Sequence, residues 1–333
     1  MNDDDLIAAV RSDSRAFFIS PNGVELGVGS FQYADNFSSG WACVNLGGDR
    51  FKNPPGVLGG NFRYVNVAGE YLPFRLDTPS YFSNQRSVLE IGNQFSVVNE
   101  RGELIVEAFD RILPYRDQLA AAKKQSSLGY INIQGEWEFL MKPGDILHSF
   151  SQGIAKVERE DKVGFISLTG QWLIEPQELQ IFDFYERLAT YEQNGRYGII
   201  TDDGDILVKA RFQDIGDFSD GMCAFKENDL WGYINVSGTI TIAPRFRNVR
   251  NFNEGKAAIQ VEESIGFIDK EGNLVIPPAF DSVFDFSNNY CIAQSNGKLG
   301  YIDSKGEWLF PPGFDRCNQF VIPGKDNPYY KPN

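Results

Sequence analysis

A glycine-marked unit of about 34 residues recurs along nearly the whole chain, and no other feature restricts the possible folds so strongly. The clearest copies read Gly232-Tyr233-Ile234-Asn235-Val236-Ser237-Gly238, Gly266-Phe267-Ile268-Asp269-Lys270-Glu271-Gly272 and Gly300-Tyr301-Ile302-Asp303-Ser304-Lys305-Gly306, with final glycines 34 apart. The pattern recurs ending on Gly204, Gly170 and Gly135, and degenerate copies end on Gly102, Gly69 and Gly23. Steps between these glycines are 46, 33, 33, 35, 34, 34, 34 and 34, so only the first interval carries an insertion, around residues 47–60. Its Gly-Gly-Asp and Asn-Pro-Pro-Gly content reads as a loop. A second marker runs in phase: Phe37, Phe82, Tyr115, Phe150, Phe184, Phe218, Phe252, Phe286 and Phe320 each open a segment such as Phe252-Asn253-Glu254-Gly255-Lys256-Ala257.

Each unit has a physical reading. Ala257 to Val261 and Gly266 to Asp269 alternate apolar with polar residues around a short polar link, the signature of a hairpin. The turn Asp269-Lys270-Glu271-Gly272 puts glycine where positive φ is required and leads into a third strand, Asn273 to Ile276. Pro277 and Pro278 then end the ladder, because proline offers no N–H, and Phe280 to Phe286 reads as a compact turn. One such unit has too little apolar surface to fold alone, so copies must stack, with Phe252, Ile268, Ile276 and Phe280 in the core. The expected fold is all-β: tandem hairpin or three-stranded repeats stacked as an open solenoid or superhelix, with a closed β-propeller as the alternative. No terminal strand is left over to complete another unit, which favours the open form. The array divides into degenerate repeats over 1–128, regular repeats over 129–320 and a tail over 321–333.

Composition narrows the partners. A formal charge of −14, from 45 acidic and 31 basic residues, opposes binding to nucleic acid or to anionic membranes and attracts a basic protein. Met1-Asn2-Asp3-Asp4-Asp5 and the residues after it lack the basic and apolar regions of a secretory signal, and no run approaches a membrane span, so a cytoplasmic location is expected. Cys43, Cys223, Cys291 and Cys317 are far apart without CxxC spacing; Cys223 and Cys291 occupy matching repeat positions and read as small core residues.

Trp231-Gly232-Tyr233-Ile234, with Gly238 and Pro244, resembles the WG-repeat family, also called KWG repeats. Leu299, Ile265 and Tyr197 replace the tryptophan in other copies, and the resemblance is strong from Gly129 to Phe320. It implies a bacterial interaction module with no shared enzymatic activity and no catalytic residues to carry over. Some members accompany secreted or contact-dependent toxins as immunity proteins.

The residues themselves point away from catalysis. His148, the only histidine, is not a repeat position, no Gly-x-Ser-x-Gly elbow or Walker loop is present, and Thr201-Asp202-Asp203-Gly204-Asp205 lacks EF-hand spacing. No catalytic, metal or cofactor residues are therefore assigned. One feature marks a surface: the link between the first two strands carries Glu158, Glu160 and Asp161, then Glu192, then Glu227 and Asp229, then Glu262 and Glu263. Stacked at constant offset, these links form an acidic stripe for a basic protein partner. The expected function is a non-catalytic protein-binding module, in its finer form an immunity protein covering a basic toxin. Carbohydrate or cell-wall binding through Trp137 and Trp172, and an enzyme on a β-propeller, are the alternatives.

Overall fold

The computed structural model describes residues 6–13, 15–52, 55–58, 60–76 and 80–326, and none of them is helical. Both sequence markers have a clear physical basis. All nine turn glycines, Gly23 through Gly306, hold φ between +76° and +86°, a region closed to residues with a Cβ except at a cost. In the same turn the residue after the second strand accepts two amides, as when Asp269 Oδ1 takes those of Glu271 and Asn273 at 3.1 and 2.7 Å. All nine aromatic anchors are at most 3% exposed. The degenerate early copies therefore keep the glycine turn and the buried anchor of the regular ones, while in the first two the third strand is reduced to isolated bridges such as Ile19 with Glu25 and Val65 with Tyr71.

Each repeat forms one small antiparallel sheet, and nine follow in chain order apart from the hairpin of the insertion. The sixth is representative: Gln180–Ile181, Leu188–Gln193, Arg196–Thr201 and Ile206–Phe212 lie side by side in that order. Two features differ from the sequence reading. The segment expected to be a compact turn contains a further two-residue strand, such as Ser282–Val283 paired with Gln294 and Ala293. Pro277 and Pro278 do not end the third strand but lie inside it, in Leu274–Phe280, where the register against Ser264–Ile268 shifts. Proline is tolerated there because the strand is at the sheet edge and bulged. The insertion is a hairpin of Asp49–Lys52 and Pro55–Leu58.

The bulge also explains the first glycine of the motif. A Cβ on Gly266 would lie 2.6 Å from the carbonyl oxygen of Ile276 and 2.8 Å from the nitrogen of Pro278. At Gly232 the same space is filled by the backbone of Ile242 and Pro244. These glycines are required by close backbone approach, not by φ.

The chain divides into two compact units, residues 1–143 with 298–300 and 309–333, and residues 144–297 with 301–308. Within the second, cores form between consecutive sheets. Tyr233 and Ile242 of the seventh pack with Phe252, Ile259 and Ile268 of the eighth. In three copies the aromatic of the motif meets the next anchor: Tyr233 with Phe252 at 4.7 Å, Phe267 with Phe286 at 5.0 Å, and Phe165 with Phe184 at 4.8 Å between centroids. Polar latches repeat beside them. A side chain two residues after one anchor accepts an amide from the following anchor turn, from Glu186 to Gln152 at 2.7 Å, from Gly221 to Glu186 at 2.9 Å and from Asn289 to Glu254 at 2.9 Å.

The first unit overturns the open solenoid. Its first sheet consists of Ala8–Ser12 and Arg15–Ile19 with a third strand, Arg316–Cys317, from the other end of the chain. Val10 faces Cys317, Arg11 faces Arg316, and Ile7 bridges Val321 beyond them. Two inter-repeat contacts recur across this join. Gly306 lies against Ile276 of the preceding repeat, and Gly23 lies against Phe310, at the equivalent position 34 residues after Ile276. The latch recurs in backbone form, with the Gly40 amide on the Pro323 carbonyl at 2.6 Å. The last repeat thus meets the first as any copy meets its successor. The fold is a nine-bladed β-propeller; the terminal strand that the sequence reading found missing is Arg316–Cys317.

Candidate functional site

The eight acidic residues singled out from the sequence all lie in the second unit, at the same hairpin of the fifth to eighth sheets. The fifth hairpin joins Ile154–Arg159 to Lys162–Ser167 and places Glu160 and Asp161 at its tip with φ of 52° and 61°. In the seventh, Asn228 and Asp229 hold the same paired conformation at 50° and 63°. Two consecutive positive φ values define the two-residue turn that suits the twist of an antiparallel pair. Asparagine adopts it readily and glutamate less so, so Glu160 and Glu262 occupy turn positions that backbone preference alone does not select.

The carboxylates differ in their surroundings. Glu192 Oε1 accepts the Gly195 amide at 2.6 Å and ties down its own turn. Glu158 Oε1 lies 2.7 Å from His148 Nε2, with both side chains more than a third exposed. The single histidine is thus placed against a proposed binding residue, a pairing that its position in the sequence did not reveal. Asp229 is 3.8 Å from Lys226. Asp161, Glu262 and Glu263 are solvent-exposed. Backbone pairing puts the hairpins at one repeated location, as the sequence reading required, while Glu192 serves its turn more than the surface.

A cleft of about 550 Å³ adjoins this row between the fifth and sixth sheets. Glu158, Asp161, Glu178, Asp183 and Asp217 line it with one lysine, Lys156, whose ammonium is 3.8 Å from Asp183. Its apolar wall includes Leu179, Ile181 and Phe182. Burial first, then the carboxylates of Asp217 and Asp183, hold the neighbouring Tyr185 phenol above its ordinary pKa.

Leu179, in the wall of the cleft, differs from its repeat equivalents. In five other repeats the equivalent residue is Asp110, Asp145, Gln213, Arg247 or Asp281. Asp110 accepts the Gln125 amide at 2.6 Å, Gln213 that of Asp229 at 2.9 Å and Asp281 that of Asn296 at 2.8 Å, each fastening its hairpin to the strand entering the sheet. Asp145 holds Arg159 by two bonds of 2.8 and 2.7 Å. A leucine side chain makes no such bond, so at this sheet the connection is not fastened through that position.

The other sequence candidates have packing or ion-pair partners. Trp137 packs on Phe109 at 5.9 Å, and the Arg159 guanidinium sits 5.0 Å over Trp172. Asp202, in the oxygen-rich turn, is buried with one oxygen 2.7 Å from Arg187. Cys223 and Cys291 are buried, and their thiols lie 3.0 and 3.1 Å from the carbonyls of Gly216 and Phe284.

Comparison with known proteins defines the class. Residues 197–231, 231–263, 265–298 and 300–321 match the family profile described as WG containing repeat, so this segment is a run of four tandem WG repeats. No curated protein matches the chain at significance. Among solved structures, one described as a eukaryotic initiation factor is similar at 11% identity and a TM-score of 0.63, over 97% of this chain and 99% of that one. At that identity the likeness shows the propeller fold alone. The dihydro-heme d1 dehydrogenase NirN is similar at 12% identity and a TM-score of 0.49, over 96% of this chain and 75% of that one. The Kluyveromyces lactis protein Hsv2p is similar at 11% identity and a TM-score of 0.40, over 74% and 99%. The fold and repeat class are those of a repeat protein-binding module.

Proposed function

We propose that the chain is a non-catalytic, cytoplasmic protein-binding module whose partner is a basic protein docking on the acidic hairpins of the fifth to eighth sheets. The supporting observation is the placement of eight carboxylate residues at one repeated turn of four successive sheets. A row of like charge raises the encounter rate with an oppositely charged surface and rejects acidic competitors. Rigid sheets hold the row at fixed spacing, so little conformational entropy is lost on docking. Neutralisation of a basic toxin by direct covering is the finer form of this reading.

The test is capture from the native cell at about 50 mM and about 500 mM salt, where screening lengths differ several-fold. The wild-type chain is compared with a variant carrying Glu160→Lys, Asp161→Lys, Glu262→Lys and Glu263→Lys. A stoichiometric basic partner retained at low salt, released at high salt and lost in the variant supports the reading. No partner at low salt, or one retained equally by the variant, refutes it. A captured partner whose toxic activity is unchanged when bound refutes the immunity form alone.

A further inference from the structure

The cleft beside Leu179 gives the acidic row a specific anchor point. We infer that it accepts a single cationic side chain, arginine or lysine, from an extended segment of the basic partner; this rests on the protein-binding reading above. Both parts of such a side chain find a complement. Leu179 and Phe182 offer apolar surface to the methylene stem, and Glu158, Asp183 and Asp217 supply carboxylates for the charged head. Among the described residues, five acids and one lysine, Lys156, line the cleft; Lys162 stands outside it 3.8 Å from Glu178, so the acids still outnumber the lysines around the space. A volume of about 550 Å³ admits one long side chain with part of its backbone.

The cleft differs from the exposed hairpins in a way that matters for affinity. A charge pair at an exposed turn is screened and contributes little, whereas a side chain inserted against apolar walls is partly desolvated and can dominate an interface. The position that forms this wall is polar in the other five repeats compared, and in three of them it accepts the hairpin amide. Leucine here sacrifices that bond and leaves an apolar wall beneath an acidic rim.

Calorimetric titration of the whole chain with the blocked peptide acetyl-(Gly-Arg)4-amide in low salt tests the assignment. Three variants are compared. Leu179→Arg places a cation in the cleft. Asp183→Asn with Asp217→Asn removes two of the three head-group carboxylate charges almost isosterically and covers the case in which the first variant misfolds. Glu262→Lys with Glu263→Lys changes the charge most but lies outside the cleft. Weakening of about tenfold by the cleft variants, against no more than about threefold by the outer one, supports the proposal. Weakening that instead follows total charge, greatest for the outer variant, overturns the cleft and leaves the acidic-surface reading standing. No binding by the wild type at about 1 mM peptide, where a contact worth about 4 kcal/mol registers, overturns the cleft assignment as well. Loss of the native partner in the capture experiment is what separates that result from failure of the broader reading.

Discussion

Replacing Gly266 by alanine tests why the motif carries its first glycine. The new methyl carbon would lie 2.6 Å from the Ile276 oxygen, 2.8 Å from the Pro278 nitrogen and 3.1 Å from the Pro277 carbonyl carbon, all backbone atoms of the adjoining strand. Ordinary contact begins near 3.4 Å, so the strands must separate by about 0.8 Å (3.4 − 2.6) or the bulge must be lost. Overpacking of this kind costs about 1–3 kcal/mol, and each ladder hydrogen bond stretched by the separation adds about 0.5–1.5 kcal/mol. A loss of about 3 kcal/mol is expected. Gly27 is the control, because it has no neighbour within 4 Å of an added Cβ and no positive φ. Alanine there is neutral or stabilises by up to about 1 kcal/mol through the unfolded chain. Urea unfolding followed by tryptophan fluorescence measures both. A Gly266→Ala variant within about 0.5 kcal/mol of wild type would refute the close-approach explanation.

Phe252→Ala removes a side chain that is 0% exposed and packed edge-to-face on Tyr233 with centroids 4.7 Å apart, and should cost about 3–5 kcal/mol in the same unfolding assay. Burial pushes the Cys43 thiol up to about 12 and raises Cys223 and Cys291 further, so these thiols should resist a disulfide reagent at about pH 8 until the chain unfolds; reaction at the free-cysteine rate would contradict this. The hydrogen bond from Lys298 holds the Asp315 carboxyl below its ordinary pKa, so its contribution is present above about pH 4 and fades as pH falls through the lowered value. Asp315→Asn should therefore lower stability at neutral pH and flatten the acid limb of a stability-against-pH curve, and an unchanged limb would count against it.

Local chemistry made most of the repeat legible. Positive-φ glycines, Asx-type turns and alternating strands leave their marks within a few residues, so Gly272, Asp269 and Ile268 were placed correctly from sequence. The two-residue strand Ser282–Val283 was not, since a segment so short has no period to read. Prolines 277 and 278 misled because the bulge that accommodates them depends on the partner strand. Closure was hidden for a similar reason: Val10 and Cys317 are neighbours through pairing across 307 positions, and nothing near either announces the other. Among the acidic residues, sequence phase located the row but not the cleft, whose wall includes Leu179 where the repeats compared have a polar residue.

Closure is tested most directly by Val10→Cys. Val10 and Cys317 are cross-strand partners, and side chains so paired on adjacent antiparallel strands are close enough for a disulfide. Mild oxidation of the folded variant followed by peptide mapping should yield a bridged peptide joining position 10 to Cys317, with Cys43, Cys223 and Cys291 unlinked. An oxidised variant that lacks this bridge, while its reduced form unfolds as the wild type does, would contradict a chain closed through its own two ends.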